Sequence, residues 1–179
     1  MPFLSISSSI IPVVAVLLDI LLYGILLRHT NQKEILNRLV IIAIIFAFLF
    51  NVTWEILQIP LYKGGSYEWN HILFCAWASI ADVIMVLLIY FGFALIYKNA
   101  LWVKNLNTNR IIILILTGGA GAVLAEVWHL SIGTWSYAHA MPLIPVVDVG
   151  LSPVLQFMIL PILIYKISFK IGKGKNKKI

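Results

Sequence analysis

The sequence predicts an all-α polytopic membrane protein: a compact bundle of five transmembrane helices, with the N-terminus outside and the C-terminus in the cytoplasm. Three observations carry this prediction. Of 179 residues, 61% are hydrophobic and 11% charged, whereas a soluble domain carries about 25% charged residues. The apolar residues form five blocks, 10–28, 38–59, 71–97, 111–130 and 147–168, each about the length of a bilayer crossing. Twelve of the thirteen Lys and Arg residues fall at one end of the resulting bundle.

Block 10–28 has no Lys or Arg before it and no small-residue cleavage site, so it reads as a first span rather than a signal peptide. Asp19 lies near its middle. Block 38–59 carries Asn51, Glu55 and Gln58 at spacings i, i+4 and i+7, a single polar stripe on an apolar helix, with Trp54 beside it. An aromatic, glycine-containing connection follows, with Pro60, Tyr62, Gly64, Gly65 and Tyr67.

Block 71–97 places Trp77 and Asp82 inside an otherwise apolar helix. Its Cys75 is the one cysteine, so no internal disulfide forms, and the thiol reads as buried and inert. Block 111–130 holds a run of small residues, 117–122, that lets another backbone approach. It ends in Glu126, Trp128 and His129. The connection after it, with Gly133, Trp135, Tyr137, Pro142 and Pro145, has no Lys, Arg, Asp or Glu before Asp148 and is expected to fold back as a lid. Block 147–168 starts at Asp148 and carries Gln156, and Pro153 and Pro161 are expected to bend it.

The direction of the helices follows from the basic residues. Arg28, Lys33 and Arg38 flank the first connection, Lys98, Lys104 and Arg110 the third, and six lysines fill the C-terminal region, with residues 169–179 as a basic tail. Lys63 alone lies in the second connection. Basic residues stay on the cytoplasmic side of short loops, so connections one and three are inside. The net charge of +6 is thus a topology signal, and the tail meets anionic headgroups. Nucleic-acid binding is excluded for want of a basic soluble face. The location expected is the cytoplasmic (inner) membrane, with several passes.

Five of seven acids, Asp19, Glu55, Asp82, Glu126 and Asp148, lie in or at the edge of these blocks. A charge at the bilayer centre costs about 2.5–3.5 kcal/mol on insertion scales, so such groups face a cavity or a partner. With depth read at about 1.5 Å per residue, almost all the polar groups fall in the outer half, above nearly pure hydrocarbon. That predicts a pocket open to the outer half of the bilayer over an apolar plug, rather than a channel, which needs polar groups throughout. Spans two–three and four–five look like related hairpins after a leading helix, each pairing a Trp–Glu region with a following acid, Asp82 or Asp148.

The chemistry expected is acid–base catalysis on a lipid or isoprenoid: isomerisation, cyclisation or hydration. Glu55 and Glu126 are the candidate acid–base pair, with Asp82 and His129 relaying protons. Trp54, Gln58, Trp77, Trp128, Trp135, Tyr137, Asp148 and Gln156 are the candidate substrate-binding residues, since aromatic faces pack on isoprenoid chains and favour developing positive charge. No cofactor and no metal are assigned. Glu126 and His129 have metal-ligand spacing, but Gln58 stands where a second histidine would be needed. The alternatives are a small-solute or proton-coupled transporter, which five spans would require to be a homodimer, and a non-catalytic lipid-binding or accessory protein. In general layout the chain is similar to membrane-bound sterol isomerases and fungal-type meroterpenoid cyclases. That likeness matches no motif residue by residue, and implies only acid–base chemistry on an isoprenoid.

Overall fold

A computed structural model describes residues 6–174. Five helices fill most of it: α1 (Ile6–His29), α2 (Lys33–Gln58), α3 (Trp69–Ile96), α4 (Thr108–Ser131) and α5 (Leu151–Gly172). Each is long and apolar enough to cross a membrane. Their outward faces are hydrocarbon, with Leu57, Trp77, Ile96 and Leu124 among the most exposed side chains. Such exposure suits lipid and would be costly in water. Of the basic tail, residues 175–179 lie outside the described residues.

Helix ends differ from the sequence reading where polar residues extend a helix beyond its apolar stretch. α2 starts at Lys33, five residues before the predicted edge, and Glu34 pairs with Arg38 one turn along. α4 starts at an Asn107 cap, whose side chain accepts the Arg110 backbone N–H at 3.0 Å. α5 starts at Leu151 instead of 147, because residues 143–150 fold as a small hairpin. Its strands are β1 (Leu143–Ile144) and β2 (Val149–Gly150), antiparallel, with Leu143 opposite Gly150.

The turn of that hairpin contains Asp148 at φ 51°, a left-handed conformation that Asp tolerates better than most residues. Asp148 is exposed there. It lies before the fifth helix, which starts at Leu151, and outside the polar cluster. That position removes the counterpart of Asp82 from the second hairpin. Pro153 is in the first turn of α5, where a missing N–H breaks no helical bond, and only Pro161 is interior to the helix.

Packing runs α1 on α3, α3 on α2, α2 on α5, and α5 on α4. Small residues set the closest approach. Gly118 of α4 lies directly against the Phe157 carbonyl of α5, and Gly119 lies against the Met158 side chain. At the end where α3 joins α4, a short 3-10 helix (Trp102–Asn105) tucks under the bundle. Trp102 is 0% exposed. Its ring packs with Tyr90, Phe93, Tyr97 and Tyr165, and its Nε1–H donates to the Tyr90 carbonyl at 3.1 Å. Tyr165 donates its hydroxyl to the Val86 carbonyl at 2.6 Å, joining α5 to α3. The apolar end of the bundle thus holds an aromatic cluster among its aliphatic side chains.

Candidate functional site

At the opposite end, polar side chains from four helices meet. Buried Asn51 donates its Nδ2–H to the Ala47 carbonyl at 2.8 Å, which leaves its oxygen facing Gln156. Gln156 Nε2 is 2.9 Å from Asn51 Oδ1, 3.2 Å from Asp82 Oδ2 and 3.3 Å from Glu55 Oε1. One NH₂ group with two hydrogens thus serves three acceptors on two other helices.

A second chain of bonds reaches Glu55 from the other side. Trp54 Nε1–H, a donor only, bonds Ser152 Oγ at 3.2 Å. Ser152 donates to Gln58 Oε1 at 2.8 Å, and Gln58 Nε2 donates to Glu55 Oε1 at 2.9 Å. The direction of this chain is fixed by the indole, so Glu55 accepts two amide bonds on one oxygen.

Glu126, buried on α4, is engaged from the connection that follows it. The Tyr137 hydroxyl and Trp135 Nε1–H, the latter at 3.2 Å, both donate to Oε2. The two connections at this end pair with each other through an antiparallel bridge between Tyr62 and Tyr137. Lys63 N–H bonds the Ser136 carbonyl, and Ala138 N–H bonds the Leu61 carbonyl, each at 2.9 Å. The Tyr62 ring packs against Trp135 and Tyr137. Together these residues form a strap over the acids, so this end of the bundle is roofed rather than open.

Burial raises the Tyr62 phenol above the ordinary value, and Glu126, Glu55, Tyr137 and Asp82, in that order, raise it further. Burial also raises Tyr137, as does its bond to Glu126. The acids keep free oxygens. Among the described residues no hydrogen bond reaches Glu55 Oε2, Asp82 Oδ1 or Glu126 Oε1, and the fully buried unpaired polar atoms are Asp19 Oδ1 and Ser168 Oγ.

The remaining candidates divide. Trp54, Gln58, Gln156, Trp135 and Tyr137 join the cluster as hydrogen-bond donors or acceptors for its polar groups. His129 stands one ring away, stacked on Trp135 at 4.2 Å with Nδ1 3.3 Å from Thr134 Oγ1, and makes no bond to Glu126. Trp77 is 70% exposed and Trp128 45% exposed. Trp77 lies two residues from buried Cys75 and Ser79, and Trp128 two from buried Glu126. Offsets of two residues turn a side chain about 200° round a helix, so both tryptophans point away from the cluster. Asp19 lies elsewhere on α1.

Sequence reasoning missed two members. Ser152 had no visible partner in its own segment, and Tyr62 read only as an aromatic residue in a connection. A phenol placed seven residues after Glu55, in a loop facing another loop with Tyr137, was the available signal. Among the described residues no group of three or more His, Cys, Asp and Glu side chains is disposed to hold a metal ion. Comparison with protein-family models, with curated proteins and with solved structures finds no match to this chain. The reading of its function rests on the site alone.

Proposed function

We propose that this chain is a membrane-embedded acid–base enzyme acting on a lipid or isoprenoid. One observation carries the reading: Glu55 and Asp82, from two helices, share the Gln156 amide, and Glu126, from a third, is held by Trp135 and Tyr137, which pack on Tyr62 of the strap. A carboxyl held in this way can deliver a proton to an alkene, epoxide or carbonyl, while a neighbouring carboxylate removes one from the resulting cation. In this proposal Glu55 and Glu126 are the acid–base pair, and Asp82, bound to the same amide as Glu55, passes protons between substrate and pair. His129 acts at a distance, through Trp135.

The chain would sit in the cytoplasmic membrane, its roofed end outward and its basic connections inward. The aromatic floor around Trp102 supports catalysis over transport, since among the described residues no chain of hydrogen bonds runs from the cluster to that end. Glu55→Gln and Glu126→Gln provide the test, because an amide keeps shape and hydrogen bonding but exchanges no proton. Each variant, purified with the host lipid extract as substrate, should fold normally and lose about 10²–10⁴-fold in lipid conversion. Full conversion by both variants would reject the proposal.

A further inference from the structure

The route into the site names the kind of molecule that reaches it. Sides, roof and floor can be taken in turn. Packing joins α3 to α2, α2 to α5 and α5 to α4, but among the described residues no comparable packing joins α3 to α4. The strap through Tyr62 and Tyr137 covers one end, and fully buried Trp102 covers the other. Glu55 and Asp82 are nevertheless only partly buried. The remaining way to them is the side between α3 and α4, which faces hydrocarbon.

The faces of α3 agree. Cys75, Ser79, Val83 and Val86 are buried, and Trp77, Ile80 and Ala81 are exposed. Between these two faces runs a stripe of partly exposed residues, Ala78, Asp82 and Met85, spaced i, i+4 and i+7. Asp82 bonds Gln156 of α5 at 3.2 Å, although α3 and α5 otherwise meet sparingly. The stripe therefore borders the side of α3 turned to the second hairpin. Partly exposed Phe157, next to Gln156 on α5, packs against both apolar clusters of the bundle.

We infer that the substrate is a bilayer-resident lipid that enters sideways between α3 and α4, laying an apolar chain along Ala78, Met85 and Phe157 and bringing a double bond, epoxide or carbonyl to Asp82 and Glu55. This rests on the acid–base reading of the site and adds to it the door and the pose of the chain within it. A water-soluble metabolite has no corresponding path, because the roof is closed by paired backbone, and burial of apolar chain against this stripe favours the lipid.

The test uses the full chain in phospholipid nanodiscs, with a fatty acid carrying a diazirine in its chain as the probe. After illumination, labelled residues are located by peptide mass spectrometry. Adducts are expected on Met85 and Phe157 as well as on lipid-facing Trp77. Ala78→Trp fills the slot and should lower labelling of Phe157 several-fold while leaving Trp77 unchanged. Labelled Trp77 with clean Met85 and Phe157 in the wild-type chain overturns the inference, whether or not the variant folds. So does labelling of Phe157 by a water-soluble diazirine but not by the fatty acid. The two readings fail separately. Slot labelling with silent Gln variants keeps the door and rejects the enzyme, whereas acid-dependent turnover with a clean slot keeps the enzyme and rejects the door.

Discussion

The Tyr137 hydroxyl donates a hydrogen bond to Oε2 of Glu126, eleven residues earlier in the chain. This bond ties the connection after α4 back onto the helix it leaves. Because Tyr137 also pairs with Tyr62, one contact links a membrane carboxyl, its own loop and the loop of the other hairpin. The acids and their roof thus form one unit.

The first prediction concerns these two phenols. An unperturbed tyrosine loses its proton near pH 10. Folding raises both Tyr62 and Tyr137 above that value. The folded state then holds protons that the unfolded chain releases, so their contribution to stability is complete below about pH 10 and is lost as pH rises beyond it. In phenolate absorbance, Tyr62→Phe and Tyr137→Phe should leave the folded protein's signal near pH 10 unchanged and reduce only the signal gained on alkaline unfolding. A smaller step at pH 10 in either variant contradicts the burial described here.

The α4–α5 contact predicts opposite fates for two glycines three residues apart. A Cβ on Gly118 meets the Phe157 carbonyl, while one on Gly121 meets nothing within 4 Å. Gly118→Ala should cost about 1–3 kcal/mol by forcing the helices apart. Gly121→Ala should be neutral, or stabilising by up to about 1 kcal/mol through helix propensity. Thermal unfolding in detergent reads both, and equal midpoints for the two variants would refute the close approach.

Topology is tested by accessibility. Single cysteines in residues 29–37 and 99–109 should react with an impermeant reagent only from the cytoplasmic face. Those in residues 61–68 and 132–142 should react only from outside. Reaction at position 140 from the cytoplasmic face alone would invert the bundle and place the acids in the other leaflet.

Much of this was legible in the sequence because bilayer physics is one-dimensional. Block length and charge give the five helices. The stripe of Asn51, Glu55 and Gln58 gives the polar face of α2, since period and burial coincide there. The run around Gly118 announced a close helix contact for the same reason. Contacts between distant segments were not legible. That Gln156 would serve Asn51, Glu55 and Asp82 together depends on how α5 is rotated against α2 and α3, which its own residues do not state. Asp148 misled because an apolar hairpin turn and the start of a buried helix have the same composition. Trp102 was overlooked because a short apolar stretch in a connection gives no sign of whether it tucks inward.

α1 packs on α3 alone among the helices it meets extensively, and its spanning stretch is the least buried of the five. Among the described residues no side chain of α1 bonds to the cluster of Glu55, Asp82 and Glu126. The polar cluster is drawn from the four helices that follow, and α1 is an appended partner joined by a three-residue link, 30–32. Cut in that link, the chain should behave as two genes' worth of protein. The longer fragment should insert and close its own roof, and the shorter should find the flank of α3 by diffusing in the plane of the membrane.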